Sequence, residues 1–265
     1  MHEFLSQAWL RYTQLTPDAA VIHELLAKRG ERIINDHVAF RTFGLPGIDR
    51  MALGGVFEAW GWKLHPETLD FPEKKLVASY WLPPTDDLPK IFISELILAK
   101  CSPALQAWVK SFAHPPSAEV GPSYFLEPSW RSVSHSDYER FHAESEYAAW
   151  TAAFGVQVNH FTVLVNELKT FAGLPELNAF LLSHDLQLNE AGGLIKGTPE
   201  EKLEQSSTLA RRVPWKFSGG EAREVLGCYY EFARRYPVSQ GGPLFQGFIP
   251  KSADKIFEST FEKRG

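Results

Sequence analysis

One order of secondary structure occurs twice in this chain. Each time it opens on a strand bearing a histidine and closes on a strand bearing a glutamate. The first copy starts at Asp36-His37-Val38-Ala39-Phe40-Arg41-Thr42-Phe43, a β-branched and aromatic run stopped by Gly44-Leu45-Pro46-Gly47. A helix is predicted over 48–60, with Ile48, Met51, Leu53, Val56, Phe57 and Trp60 apolar. Strands are predicted over 62–71, 76–82 and 90–98, the last preceded by the turn residues Pro83-Pro84 and Asp86-Asp87 and carrying Glu95. The second copy starts at Gly155–Leu164, with His160 in its middle. A helix over 175–184, opened by Pro175, follows. A strand over 186–196, broken by Gly192-Gly193, a strand over 203–213 and a strand over 225–233 carrying Glu231 complete it. Recurrence of a β-α-β-β-β unit with its charged residues in register is fold-level evidence for a repeat.

The expected architecture is therefore α+β, in one domain spanning 1–265. A helical segment at 1–34, with helices over 3–12 and 18–30, precedes a first module at 35–100. A helical connector at 101–154 joins it to a second module at 155–236, and a tail covers 237–265. Helices are predicted at 103–113 and 136–154, with Pro115-Pro116-Ser117 through Pro122 between them. His135 and His142 near the second helix read as solvent-facing, because neither has a metal-ligand partner at helical spacing.

Composition removes several function classes. Formal net charge is −5 without blocks of one sign, so nucleic acid is not an expected partner. The two cysteines, Cys101 and Cys228, have no CxxC neighbour, which argues against a disulfide scaffold or a structural zinc site. No run is long and apolar enough for a bilayer, and the N-terminus has no signal-peptide pattern, so a soluble cytoplasmic protein is expected.

The charged residues inside apolar strands point to chemistry. Along the first strand His37, Ala39, Arg41 and Phe43 share a face. Two imidazoles and one carboxylate on one side of a metal leave open positions opposite, the ligand set of non-haem Fe(II) oxygenases, with Mn(II) and Zn(II) as other occupants. His37, His160 and Glu231 supply that triad if the two first strands are neighbours. Glu221 and Glu224 compete with Glu231 but follow a Gly-Gly turn, whereas Glu231 lies within a strand. Glu95 is either a fourth ligand or an orienting group. Arg41 has the planar fork for a substrate carboxylate, the alternative being an ion pair with an acid such as Glu95. Tyr229, Gln205 and Ser207 are further candidates for the cavity wall. The final helix, 252–260, is a candidate lid.

The segments Asn35–Arg41, Val158–Thr162, Glu204–Thr208 and Tyr229–Ala233 resemble the 2-oxoadipate dioxygenase/decarboxylase family, within the vicinal oxygen chelate superfamily. The tail Gln246–Pro250 and Ile256–Thr260 fits as well. The resemblance implies two βαβββ modules forming a half-barrel around a metal. It implies Fe(2+) held by His37, His160 and Glu231, and substrate contacts from Arg41 and His37. It also implies a 2-oxo acid and dioxygen as reactants, with 2-oxoadipate giving 2-hydroxyglutarate and CO2. Relative to bacterial members, a shorter C-terminal region is expected. An oxygen-independent isomerase or lyase of the same superfamily, and a non-catalytic binding module, are the competing functions; no oligomeric state follows from the sequence.

Overall fold

A computed structural model describes residues 1–114, 120–127, 129–130 and 132–260. The Pro115-Pro116-Ser117 connector lies outside them. Helices α1 (His2–Leu15) and α2 (Pro17–Lys28) lead into β1 (Asn35–Phe43), α3 (Arg50–Glu58), β2 (Lys63–Leu64), β3 (Leu69–Phe71), β4 (Leu76–Leu82) and β5 (Lys90–Leu96). Helices α4 (Pro103–Phe112), α5 (His135–His142) and α6 (Glu146–Phe154) follow. Then come β6 (Val158–Leu164), α7 (Leu174–Leu182), β7 (Lys196–Thr198), β8 (Leu203–Ser207), β9 (Arg212–Lys216), β10 (Ala222–Leu226), β11 (Glu231–Arg235) and α8 (Pro250–Phe257). The mixed α+β class is as expected. No helix among the described residues is long and apolar enough to cross a membrane.

The chain divides into two compact units, each assembled from separated stretches. The first comprises Met1–Tyr12, Val38–Asn159 and Arg212–Leu226, and the second Thr13–His37, His160–Arg211 and Gly227–Gly265. In the first unit the strand order is β1-β5-β4-β2, with β3 also on β4. Strand β4 runs antiparallel to β5, and Val77 stands opposite Glu95. Helix α3 is started by Asp49, whose side chain accepts from the amides of Met51 and Ala52 at 3.0 and 3.1 Å. The helix packs so closely on β4 that a Cβ at Gly54 would come within 1.9 Å of the Trp81 ring. Glycine is the residue this contact admits. Phe4, Phe40, Phe57 and Phe125 pack against one another edge-on and tilted.

In the second unit the order is β6-β11-β8-β7. Strand β11 lies parallel to β6, with Glu231 opposite Thr162, and antiparallel to β8, with Glu231 opposite Ser207 and Ala233 opposite Gln205. Strand β7 adds antiparallel to β8, with Lys196 opposite Gln205. The start of β1 flanks β6, where the Leu164 amide donates to Ile34 O at 2.8 Å. Each unit thus places the last strand of its module beside the first, then the penultimate strand, then the second. That shared order is what the doubled sequence pattern encodes.

Several predicted elements divide. The 225–233 strand splits because Val225 and Leu226 pair with β9 in a separate hairpin. The Cys228 amide then turns to Leu15 O, and the Tyr230 amide takes the Thr208 hydroxyl at 3.0 Å instead of a carbonyl. Glu231 therefore opens β11 and is not in mid-strand. The 203–213 strand ends at Ser207, after which Ala210 N–H donates to Ser259 O. The 186–196 strand keeps only an isolated bridge, Leu188 to Thr208, before β7, because Gly192 and Gly193 adopt φ of 73° and 101°. The 62–71 strand becomes β2 and β3, and the 136–154 helix becomes α5 and α6.

Candidate metal centre

The neighbouring starts of β1, β6 and β11 in the second unit put three donors together. One ligand atom from each of His37, His160 and Glu231 lies within 4.8 Å of the others, and all three residues are buried. His160 Nε2 is 3.2 Å from Glu231 Oε2, and His37 Nε2 is 3.7 Å from Glu231 Oε1. Donors about 2.1 Å from a common ion stand about 3.0 Å apart at a right angle and about 3.4 Å apart at the tetrahedral angle. The His160 separation falls within that range, and the His37 separation of 3.7 Å lies beyond it. The two imidazoles meet edge to face, with centroids 5.4 Å apart.

The electrostatics favour a cation. Glu231 is 1% exposed, and burial pushes its carboxyl group above the usual carboxylate range. The neighbouring His37 imidazole, a hydrogen bond from Gln205 and the charge of Arg235 oppose that push, while Asp36 adds to it. Gln205 Nε2 donates to Glu231 Oε1 at 2.6 Å. No lysine or arginine among the described residues pairs with Glu231 directly. A buried carboxylate between two imidazoles would gain charge balance from a divalent ion.

His37 is held from behind. Its Nδ1 lies 2.8 Å from Asp36 Oδ1, which assigns the proton to Nδ1 and turns the Nε2 lone pair toward Glu231. The Thr162 hydroxyl sits 3.1 Å from that Nε2. Asp36 is in turn gripped by Arg235, whose Nε and Nη2 donate to its two oxygens at 2.5 and 2.9 Å. Arg235 Nη1 donates to the carbonyls of Phe245 and Gly247 at 2.9 and 2.8 Å. One guanidinium therefore fixes both the orienting carboxylate and the tail segment. Phe248 on that segment packs edge-on against His37 at 4.9 Å. Tyr229 stacks on His160 at 4.6 Å.

The other sequence candidates fall as follows. Ser207 Oγ is 2.8 Å from Ser259 Oγ, tying β8 to the turn after α8. Arg41 is 2% exposed in the first unit, its guanidinium over the rings of Tyr147 and Trp150 at 5.0 and 4.9 Å. Glu95 is engaged by Arg50, which approaches through Nη1 at 2.6 Å and through its backbone amide at 2.7 Å. Glu221 pairs with Arg223 at 2.6 Å and His135 at 3.8 Å, and Glu224 is exposed on β10. His142 faces Glu146 at 3.6 Å. Sequence reasoning missed Asp36, Thr162, Arg235 and Phe248. Asp36 had a signal, an acid directly beside a candidate ligand; Arg235, whose partner is nearly two hundred residues away, had none.

The α+β fold is shared with a Ralstonia eutropha protein described as of the glyoxalase superfamily, which superposes with a TM-score of 0.75 at 18% identity over 91% and 83% of the two chains. A family model for 2-oxoadipate dioxygenase/decarboxylase matches residues 119–246. The chloroplastic/amyloplastic 2-oxoadipate dioxygenase/decarboxylase of Oryza sativa subsp. japonica is 34% identical over 275 residues, 94% of this chain and 75% of the relative. The crystal structure of the Oryza sativa hydroxyglutarate synthase in complex with 2-oxoadipate superposes with a TM-score of 0.88 at 32% identity, covering 97% of this chain and 91% of that one. A protein of Shewanella frigidimarina, provisionally called a hydrolase, superposes with a TM-score of 0.86 at 38% identity over 94% and 97% of the two chains. The chain belongs to the 2-oxoadipate dioxygenase/decarboxylase family.

Proposed function

We propose that this protein is an Fe(II)-dependent dioxygenase that decarboxylates and hydroxylates a 2-oxo acid, with 2-oxoadipate as substrate. The convergence of His37, His160 and Glu231 carries the reading: two imidazoles and a carboxylate would hold an ion between them, a ligand set that leaves positions for substrate and dioxygen. When bound there, iron supplies a Lewis acid for the keto acid and activates dioxygen.

The stoichiometry closes on one substrate. 2-Oxoadipate and dioxygen give 2-hydroxyglutarate and CO2. One oxygen atom enters the new carboxylate at the former keto carbon, and the other becomes the hydroxyl on the adjacent carbon. No second organic acid is consumed. The residues of the chain position and shield. Asp36 and Arg235 hold His37 in the tautomer that frees Nε2. Gln205 fixes the Glu231 carboxylate through Oε1. Tyr229 and Phe248 cover the two imidazoles and exclude water around them. Arg41, four residues along β1 from His37, is assigned the substrate carboxylate beside the keto group, where its fork binds in two-point fashion.

The test is oxygen uptake by anaerobically purified, Fe(II)-reconstituted protein on addition of 2-oxoadipate. Uptake matched by CO2 and 2-hydroxyglutarate, and abolished in His160→Ala, is expected. Uptake with a different 2-oxo acid alone would keep the reaction and change the substrate. No uptake with any 2-oxo acid, despite bound metal, would overturn the proposal. Arg41→Ala is expected to weaken substrate binding by about 10-fold or more while leaving metal affinity unchanged. Equal loss of both would remove its assignment.

A further inference from the structure

The first unit holds a cavity that the metal centre does not use. Its volume is about 370 Å³, within the range of small-molecule sites. Three aromatic rings line it, from Trp130 of the connector, Phe154 at the end of α6 and Trp215 on β9. Two cations line it as well, Arg11 on α1 and Lys216 on β9. No aspartate or glutamate is among its described lining residues. The walls are fixed by contacts of their own. Trp130 Nε1 donates to Ala152 O at 2.9 Å, and Ser129 Oγ accepts from the Val156 amide at 2.8 Å, so the connector is held against the end of α6. Phe154 meets Trp215 edge to face, with centroids 4.7 Å apart. Arg11 Nε donates to Gln157 Oε1 at 2.7 Å, which sets the guanidinium in place.

Arg11 is half-buried, and the contact with Gln157 is its only hydrogen bond among the described residues. Both of its Nη groups therefore have donors to give, in the planar fork that suits a carboxylate. Burial makes its charged form costlier, and the charge of Glu127 offsets this only in part, acting through space without an ion pair. Lys216 is exposed and likewise makes no ion pair among the described residues. Two cations at one cavity with no facing acid favour an anion there. The rings narrow its chemistry. A compact hydrated ion such as sulfate gains nothing from three aromatic walls, whereas a carboxylate carried on a flat apolar ring uses both the walls and the fork.

We propose that this cavity is a binding site for a small aromatic carboxylate. Arg11 takes the carboxylate in two-point fashion, Trp130, Phe154 and Trp215 enclose the ring, and Lys216 adds a longer-range attraction. None of His37, His160 and Glu231 lines the cavity, so the ligand is held without the metal and the proposal stands apart from the reaction assigned to that centre. Gln157 fixes the guanidinium and Ala152 fixes the Trp130 ring before the ligand arrives, so little side-chain ordering remains to oppose binding.

The probes are 2-naphthoate, its neutral analogue 2-naphthalenemethanol, and sulfate. Each is titrated calorimetrically into Mn(II)-loaded protein, and naphthoate is titrated into chelator-treated protein as well. Wild type is expected to bind naphthoate about 10-fold or more tightly than the alcohol or sulfate, the size of one charge-assisted contact, with the same affinity whether or not Mn(II) is present. Arg11→Met should weaken naphthoate by about that factor and leave the alcohol unchanged. Lys216→Glu should weaken naphthoate about 3-fold or more, with a larger effect at low salt. Equal affinity for naphthoate and the alcohol would make this an apolar cleft, and sulfate bound as tightly as naphthoate would make it an inorganic anion site. A requirement for Mn(II) would put the carboxylate on the metal centre. Each of these overturns the proposal, as does a wild type that binds no naphthoate, or an Arg11→Met variant that binds it like wild type or weakens both ring compounds equally. If Arg11→Met does not fold, Lys216→Glu decides, since unchanged naphthoate affinity in that surface variant overturns the proposal as well.

Discussion

Asp36 and Arg235 show how much of this site is built by residues that never reach the metal. Asp36 fixes the His37 tautomer at 2.8 Å, and Arg235 fixes Asp36 with a two-point contact while holding the Phe245 and Gly247 carbonyls. Orienting carboxylates of this kind typically change metal affinity about 10- to 100-fold. Asp36→Asn keeps the shape and an acceptor but removes the charge. It is expected to weaken metal binding by that factor in a competition titration and to lower thermal stability, because Arg235 loses its buried counter-charge. An unchanged metal affinity would mean that His37 is positioned by Phe248 and Thr162 alone. The convergence of the three donors was legible in the sequence because charged side chains interrupt apolar strands. Glu231 was distinguishable from Glu221 and Glu224 by that embedding, although it opens its strand. The Asp36 and Arg235 contact was not legible, since nothing local to either residue signals a partner on a distant strand.

At the scale of elements, β7 and α8 govern one edge of the second unit. Helix α8 buries Ala253, Ile256 and Phe257, and the turn after it is pinned by Asn189 and Ser207 through Ser259. Phe257→Ala is expected to cost about 3 kcal/mol in denaturant unfolding, the usual loss for a buried phenylalanine. A change below about 1 kcal/mol would show that the helix is not part of the cooperative fold. Strand β7 carries Lys196, whose ionisation burial brings down from 10.5 to about 8. Glu231, Glu258 and Glu190 oppose that shift. The sign follows from proton linkage. Between about pH 8 and 10.5 the unfolded chain holds a proton that the folded Lys196 has released, so the penalty from this residue is full below about 8 and fades as pH rises. Lys196→Met should therefore stabilise the metal-free, acid-free protein more at pH 7 than at pH 10, measured as the difference in unfolding free energy. Comparing the two proteins cancels Cys101 and Tyr138, whose raised values, about 12 for Tyr138, act in the opposite direction at the alkaline end. The sequence indicated a strand here but misplaced it, because Gly192 and Gly193 turn the chain at positive φ before pairing with β8 can begin.

At the scale of the molecule, the two modules share a strand order but not a chemistry. Both end on a strand beside their first, and both put a glutamate there. The doubled pattern was the most legible property of the sequence, since the alternation of strands and helix survives even where individual strands break. What it could not reveal is which copy is the ligand. Side-chain partners decide that. Glu231 is left between two imidazoles with one amide donor, whereas Glu95 is satisfied by Arg50 through both a guanidinium nitrogen at 2.6 Å and a backbone amide at 2.7 Å. A carboxylate already neutralised in this way is a poor metal ligand, and its work is to tie the start of α3 to β5. Glu95→Gln preserves an acceptor for the Arg50 amide and removes the ion pair. The expected result is a loss of about 1 kcal/mol in stability with metal affinity within about 2-fold of wild type, whereas Glu231→Gln should abolish binding. If Glu95→Gln instead weakened the metal as strongly as Glu231→Gln, the centre would have four protein ligands. Fewer positions would then be open for substrate and dioxygen, and oxygen-independent chemistry would become the better account of the protein.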